Sequence, residues 1–145
     1  MGLRCGIDIA SIQRIRAAVL RQGEAFLRKT YTPSELDYCL ARGEESRYES
    51  LAVRYAAKEA VGKALGTGLM RNGIALSDIE ILRDEYGTPS VRLSGAALAT
   101  FEALGGVEIA ISLSHEGDVA AANCVLTTNL ESAPKPTRPA QEGRA

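Results

Sequence analysis

Ser46–Leu65 reads SRYESLAVRYAAKEAVGKAL and is the longest helical pattern in the chain. Leu51, Tyr55, Val61 and Leu65, with alanines between them, give apolar faces at helical spacing. The segment predicts a long central helix on which the other elements pack. Gly66-Thr67-Gly68 ends it, and glycine suits the left-handed position after a helix.

Upstream, RCGIDIA at 4–10 reads as a short buried strand. Cys5, Ile7 and Ile9 alternate with Gly6 and Asp8, so Asp8 falls on the face opposite the isoleucines. Ser11 is an N-cap for a helix reaching about Gln22, with Ile12, Ile15, Ala18 and Val19 as its apolar stripe. Arg14, Arg21 and Arg28 stand seven apart, but Gly23 interrupts the helix that would align them. Thr32-Pro33-Ser34-Glu35 is a helix start: Thr32 caps, Pro33 suits the first helical position and Glu35 completes a capping box. That helix ends near Arg42-Gly43.

Downstream, DIEILRD (78–84) and PSVRL (89–93) flank a glycine-containing turn and predict a hairpin. Ser94 is placed to cap a short helix closed by Gly105-Gly106. Two more strands, 107–115 and 118–126, are joined at Glu116-Gly117. The order predicts one α+β domain over 1–127, with mainly antiparallel strands packed on the long helix. From Thr128 the chain has three prolines, no periodicity and one large apolar residue. Residues 128–145 are therefore expected to form a disordered tail.

Composition narrows the function classes. The chain has 145 residues, 46% hydrophobic and 24% charged, enough for one domain with a real core. No apolar run reaches membrane-spanning length, and Arg4 and Asp8 interrupt the N-terminal apolar stretch, so neither a membrane span nor a secretory signal is expected. Cys5, Cys39 and Cys124 are widely spaced and His115 is the sole histidine, which leaves a structural zinc site without ligands. Reduced cysteines fit a cytoplasmic protein. Net charge is −1, but residues 1–30 carry six basic side chains against Asp8 and Glu24. A local basic patch on a neutral body suits an acidic protein or a phosphate-bearing ligand. A nucleic-acid binder would be basic over a whole face.

Three places carry potential chemistry. Asp8 is costly in an apolar strand unless exposed, paired or bound to a cation, and spacing alone leaves a helix cap open as well. Glu59 and Lys63, at i and i+4, are either a solvated surface pair or a carboxylate and an ammonium facing a phosphate. Arg54 and Lys58 form a second i, i+4 pair beside them. His115 ends a strand next to a tight turn, with no nucleophile elbow nearby, so hydrolase chemistry has little support.

Their joint order is more specific than any one of them. GIDI (6–9) is followed by F-x-x-K-x-Y-T-x-x-E-x-x-Y-C (26–39) and A-A-K-E-A-x-x-K-A-L-G-T-G (56–68). D-x-x-G-x-P (84–89) and SLSH (112–115) come after. The series resembles the holo-acyl-carrier-protein synthases, the short, stand-alone phosphopantetheinyl transferases, over roughly residues 4–127. The resemblance implies a magnesium-dependent transfer of phosphopantetheine from coenzyme A to a serine of an acyl carrier protein, in fatty acid or polyketide biosynthesis. It implies Asp8 and Glu59 as magnesium ligands, and Asp8, Glu59 and Lys63 as catalytic residues, with Lys63 at the pyrophosphate. It places coenzyme A against Arg54, Lys63, Gly66, Gly87, Pro89, Ser114 and His115. It gives the basic helix a use, since Arg14, Arg21 and Arg28 can steer an acidic carrier protein. It also implies a homotrimer with each site at a subunit boundary. Glu116 departs from the pattern, because the family often has a small hydroxyl residue after the histidine. A non-catalytic module that binds an acidic protein is the rival reading of the same residues.

Overall fold

A computed structural model describes residues 1–66 and 73–129. The expected stop at Thr67-Gly68 and all but the first two residues of the expected tail lie outside them.

The long helix is α4, Glu44–Leu65, and it begins two residues before Ser46. It is buried on most sides. Ala56, Ala60, Val61, Ala64 and Leu65 share one core with Ile79, Ile81, Ala97, Cys124 and Leu126. Tyr48, Leu51, Ala52 and Val53, one turn and more toward its N-terminus, share a second core with Ile12, Ile15, Phe26 and Cys39. A helix apolar on more than one face must be enclosed in this way.

Strands β1 (Gly2–Ser11), β4 (Gly106–Glu116) and β5 (Val119–Thr128) form an antiparallel sheet in the order β1-β5-β4. The hairpin of β2 (Ile79–Arg83) and β3 (Pro89–Leu93) forms separately, as its turn residues predict. Helices α1 (Ile12–Gln22), α3 (Pro33–Leu40) and α5 (Gly95–Ala103) stand near their expected positions. Thr32 and Glu35 make the expected capping box, and Ser11 accepts from the Arg14 backbone N–H. A further helix, α2 (Glu24–Thr30), was not foreseen: Gly23 at φ 57° breaks the chain but lets a second helix start at once. Ser94 does not cap α5 with its side chain; its hydroxyl donates to the Asp78 carbonyl.

Two findings correct the sequence reading of β1. Its apolar side chains are not buried within the chain: Ile7 is 64% and Ile9 67% exposed. The Gly6 and Asp8 side faces α4 instead, because a Cβ at Gly6 would overlap the Ala60 carbonyl and lie 2.9 Å from the Ala64 nitrogen. Only a residue without a side chain lets strand and helix approach so closely. The apolar stripe is left on the outer face of the sheet.

The pair expected at Arg54 and Lys58 is likewise no surface feature. Lys58 is fully buried and its ammonium lies 2.7 Å from the Glu35 carboxylate. It also donates to the Leu76 and Ile79 carbonyls, while Glu35 accepts from the Thr32 and Ile81 backbone N–H groups. Burial pulls the Lys58 ammonium below its ordinary range, against the pull of Glu35. The pair ties α3, α4 and β2 together.

Breaking a buried ion pair on one side leaves an uncompensated charge, at a cost of about 3–5 kcal/mol. Lys58→Met is therefore expected to lose stability of that order in urea unfolding. The Lys58→Met/Glu35→Gln double variant, which removes the stranded carboxylate, should be the more stable of the two.

Candidate active site

Asp8 reaches the site because β1 lies directly on α4. Lys63 donates to the Asp8 carboxylate at 2.9 Å and to the Ile7 carbonyl at 2.8 Å. Glu59 sits one helical turn before Lys63, close enough for the Asp8 charge to act on it. Burial and then that charge push the Glu59 carboxyl above its usual range, while Lys63 and a hydrogen bond with Tyr55 pull it back. The Tyr55 hydroxyl is raised, by burial first and then by Glu59. Lys63 is thus bonded to Asp8 rather than held in a simple surface pair with Glu59.

These groups open onto a hollow of about 520 Å³ lined by Asp8, Tyr55 and Glu59 on one side and by Arg14, Ala18 and Arg21 of α1 on the other. The size suits a small-molecule ligand. Gly23 turns α2 away from α1, and Arg28 pairs with Glu24 at 3.3 Å rather than lining the hollow. Tyr55 and Phe26 also face this hollow, and the reading of the sequence gave neither a role there. The start of α1 is fixed from far away: Asp118, in the β4–β5 turn, accepts from the Ser11 hydroxyl at 2.6 Å and from the Gln13 N–H at 2.8 Å.

The remaining expected residues lie elsewhere. Period two along β4 puts His115 on the α4 side and Ser114 on the outer face. Both border a second hollow, of about 230 Å³, with Tyr38, Arg42, Glu49 and Arg83. Arg42 and Arg83 are guanidinium groups the sequence reading missed, because residues so distant along the chain carry no common pattern. Arg54 does not line it. It is 2% exposed, lies 4.5 Å over the Tyr38 ring and donates to the Ser50 carbonyl, and its Nε has no hydrogen-bond partner. Gly87, at φ 81°, holds the hairpin turn whose carbonyl accepts from Arg83, and Pro89 opens β3. Gly66 ends α4 at φ 84°, against the Arg4 guanidinium. Glu116 is exposed and borders a shallow surface with Val119 and Ala121.

The donor chemistry fits a hard divalent cation. Asp8 and Glu59 offer carboxylate oxygens, and a cation between them would relieve the repulsion that raises Glu59. Among the described residues no group of three or more metal-ligating side chains exists, so the rest of the coordination falls to ligand oxygens and water. No helix among them is long and apolar enough to cross a membrane.

Comparison with known proteins gives the family. Residues 4–124 match the family model of the 4′-phosphopantetheinyl transferase superfamily. The chain is similar to the holo-[acyl-carrier-protein] synthase of Ruminiclostridium cellulolyticum, 44% identical over 127 residues that cover 88% of this chain and 93% of the relative. Among solved structures it is similar to the coenzyme A complex of the Chronobacterium ammoniagenes synthase (TM-score 0.78, 32% identity, 90% of this chain and 100% of that one). The Helicobacter pylori holo-[acyl-carrier-protein] synthase bound to coenzyme A is also similar (TM-score 0.74, 31% identity, 85% and 99%). With residues 4–124 matched by the family model and a curated relative 44% identical over 88% of the chain, the chain belongs to the holo-[acyl-carrier-protein] synthase family of 4′-phosphopantetheinyl transferases.

Proposed function

We propose that this protein transfers the 4′-phosphopantetheine group of coenzyme A to a serine hydroxyl of an apo acyl carrier protein in the cytoplasm. Adenosine 3′,5′-bisphosphate is the other product. The observation that carries the reading is that Asp8 and Glu59 line the hollow that Arg14 and Arg21 border, with Lys63 bonded to Asp8.

The serine oxygen forms a bond to the phosphorus next to the pantetheine arm, and the phosphoanhydride bond to the nucleotide breaks. Negative charge develops on the departing phosphate. Lys63 supplies a compact positive charge beside it. Asp8 holds that ammonium in place. Glu59, which lines the hollow beside Asp8, takes the serine proton. Magnesium held by Asp8 and Glu59 would supply charge neutralisation at the pyrophosphate oxygens. Incubation of apo carrier protein with coenzyme A and magnesium should add the mass of one phosphopantetheine group per chain. Glu59→Gln should lower kcat by about a hundredfold or more. A wild-type protein that leaves the carrier's mass unchanged defeats the reading.

Arg14 and Arg21 present positive charge on α1 to an acidic carrier. Reversing both to Glu should raise the carrier-protein KM and flatten its salt dependence, with the coenzyme A KM unchanged. Steady-state kinetics at several ionic strengths measures this.

The assembly we propose is a homotrimer with sites at subunit boundaries. Its support is the outer sheet face, where Leu3, Ile7, Ile9 and Val119 stand exposed on a small domain. A shared site also fits the placement of Asp8 and His115, which line different hollows of one chain. Light scattering should give three times the 15.4 kDa chain mass. Ile7→Lys, which puts a charge on that face, should give monomers.

A further inference from the structure

The hollow beside His115 holds an element that a phosphate site does not need. Two guanidinium groups, from Arg42 and Arg83, border it, and so does one carboxylate, Glu49. For an anionic ligand that carboxylate is repulsive. Yet it stands 3.9 Å from Nε2 of His115, the two side chains being 37% and 46% exposed. Glu49 lies on α4, whose burial and length hold it rigidly, whereas His115 sits at the free end of β4, next to the turn. At 3.9 Å the two groups are within ion-pair range but beyond a hydrogen bond, and a small rotation of either partly exposed side chain closes the gap.

We propose that Glu49 is a positioning residue: it holds Nε2 of His115 toward α4, so that the opposite ring nitrogen, Nδ1, is presented to an anionic oxygen of coenzyme A. The inference rests on the reading of this hollow as part of the coenzyme A site. An imidazole has two nitrogens, and the partner of one decides which way the other points. A free ring at a strand end turns about its χ angles and spends only part of its time aimed at a ligand. Anchored on one side by α4, it is ready before binding, and less freedom is lost on binding. Glu49 therefore acts through His115 and touches no reacting atom.

The sign of one kinetic effect tests this. If Glu49 were only a surface charge, its removal from an anion site would tighten coenzyme A binding. As a positioning residue, its removal weakens it. In the full-length protein Glu49→Gln should raise the coenzyme A KM about three- to tenfold, with kcat and the carrier-protein KM unchanged. In a His115→Ala background the same substitution should raise it no further, since the two residues act as a unit. Glu45→Gln, which removes an exposed charge one turn away, should leave the coenzyme A KM as it was. An unchanged or lower coenzyme A KM in Glu49→Gln overturns the role, as does an equal rise in the His115→Ala background. Because His115 is the chain's only histidine, its ring nitrogen NMR signals are free of overlap. Signals that coenzyme A shifts, with an unchanged KM in Glu49→Gln, defeat the Glu49 role alone. Signals that coenzyme A leaves unmoved in the wild type defeat the placing of coenzyme A in this hollow, and the role of Glu49 with it.

Discussion

The contact between β1 and α4 at Gly6 is the constraint on which the site depends. A side chain at that position would run into the Ala60 carbonyl of the helix. With none there, the strand lies flat on the helix and everything two residues further on is brought within reach of α4. Asp8 then meets Lys63, and its charge acts on Glu59. Separated by about fifty residues of chain, the two carboxylates become neighbours because one glycine permits it. A wider spacing between strand and helix would leave two unrelated surface acids.

Neighbouring residues of α4 have opposite fates for the same geometric reason. Successive side chains on a helix point about 100° apart. Lys58 turns into the interior, where Glu35 and two carbonyls neutralise and satisfy it. Glu59 turns outward to the hollow. The buried pair holds α3, α4 and β2 in one arrangement, so the direction of Glu59 is inherited from a salt bridge one residue away. Lys58 reads in sequence as one of an i, i+4 pair beside Glu59 and Lys63, and Glu35 as a helix cap; together in the interior their role is architectural.

The two hollows of the chain divide the expected site between them. Asp8, Glu59 and Lys63 border or flank one, and Ser114 and His115 the other. Between β1 and β4 lies β5, so the two edges of the sheet are about 10 Å apart. Coenzyme A is long and flexible, and an exposed apolar sheet face beside both hollows offers a second copy of the chain a place to complete the site. In the trimer we propose, Ile7 and Ile9, exposed in the single chain, are covered between chains.

Local chemistry wrote much of this protein in advance. The capping box at Thr32 and Glu35, the serine at the start of α1, the glycine turn of the hairpin and the apolar run of α4 each act over a few residues, so their outcome is legible from neighbours in the chain. The order of the motifs was likewise sufficient to identify the family. Long-range contacts were not legible in this way. Which face of β1 meets α4, which partner Lys58 finds, that Asp118 caps a helix more than a hundred residues away, and that Arg42 and Arg83 gather beside His115 all depend on pairs with no sequence relation to one another. Alternation shows that β1 has two faces but cannot say which one is covered. That is settled by the helix that packs there, and by the absence of a side chain at Gly6.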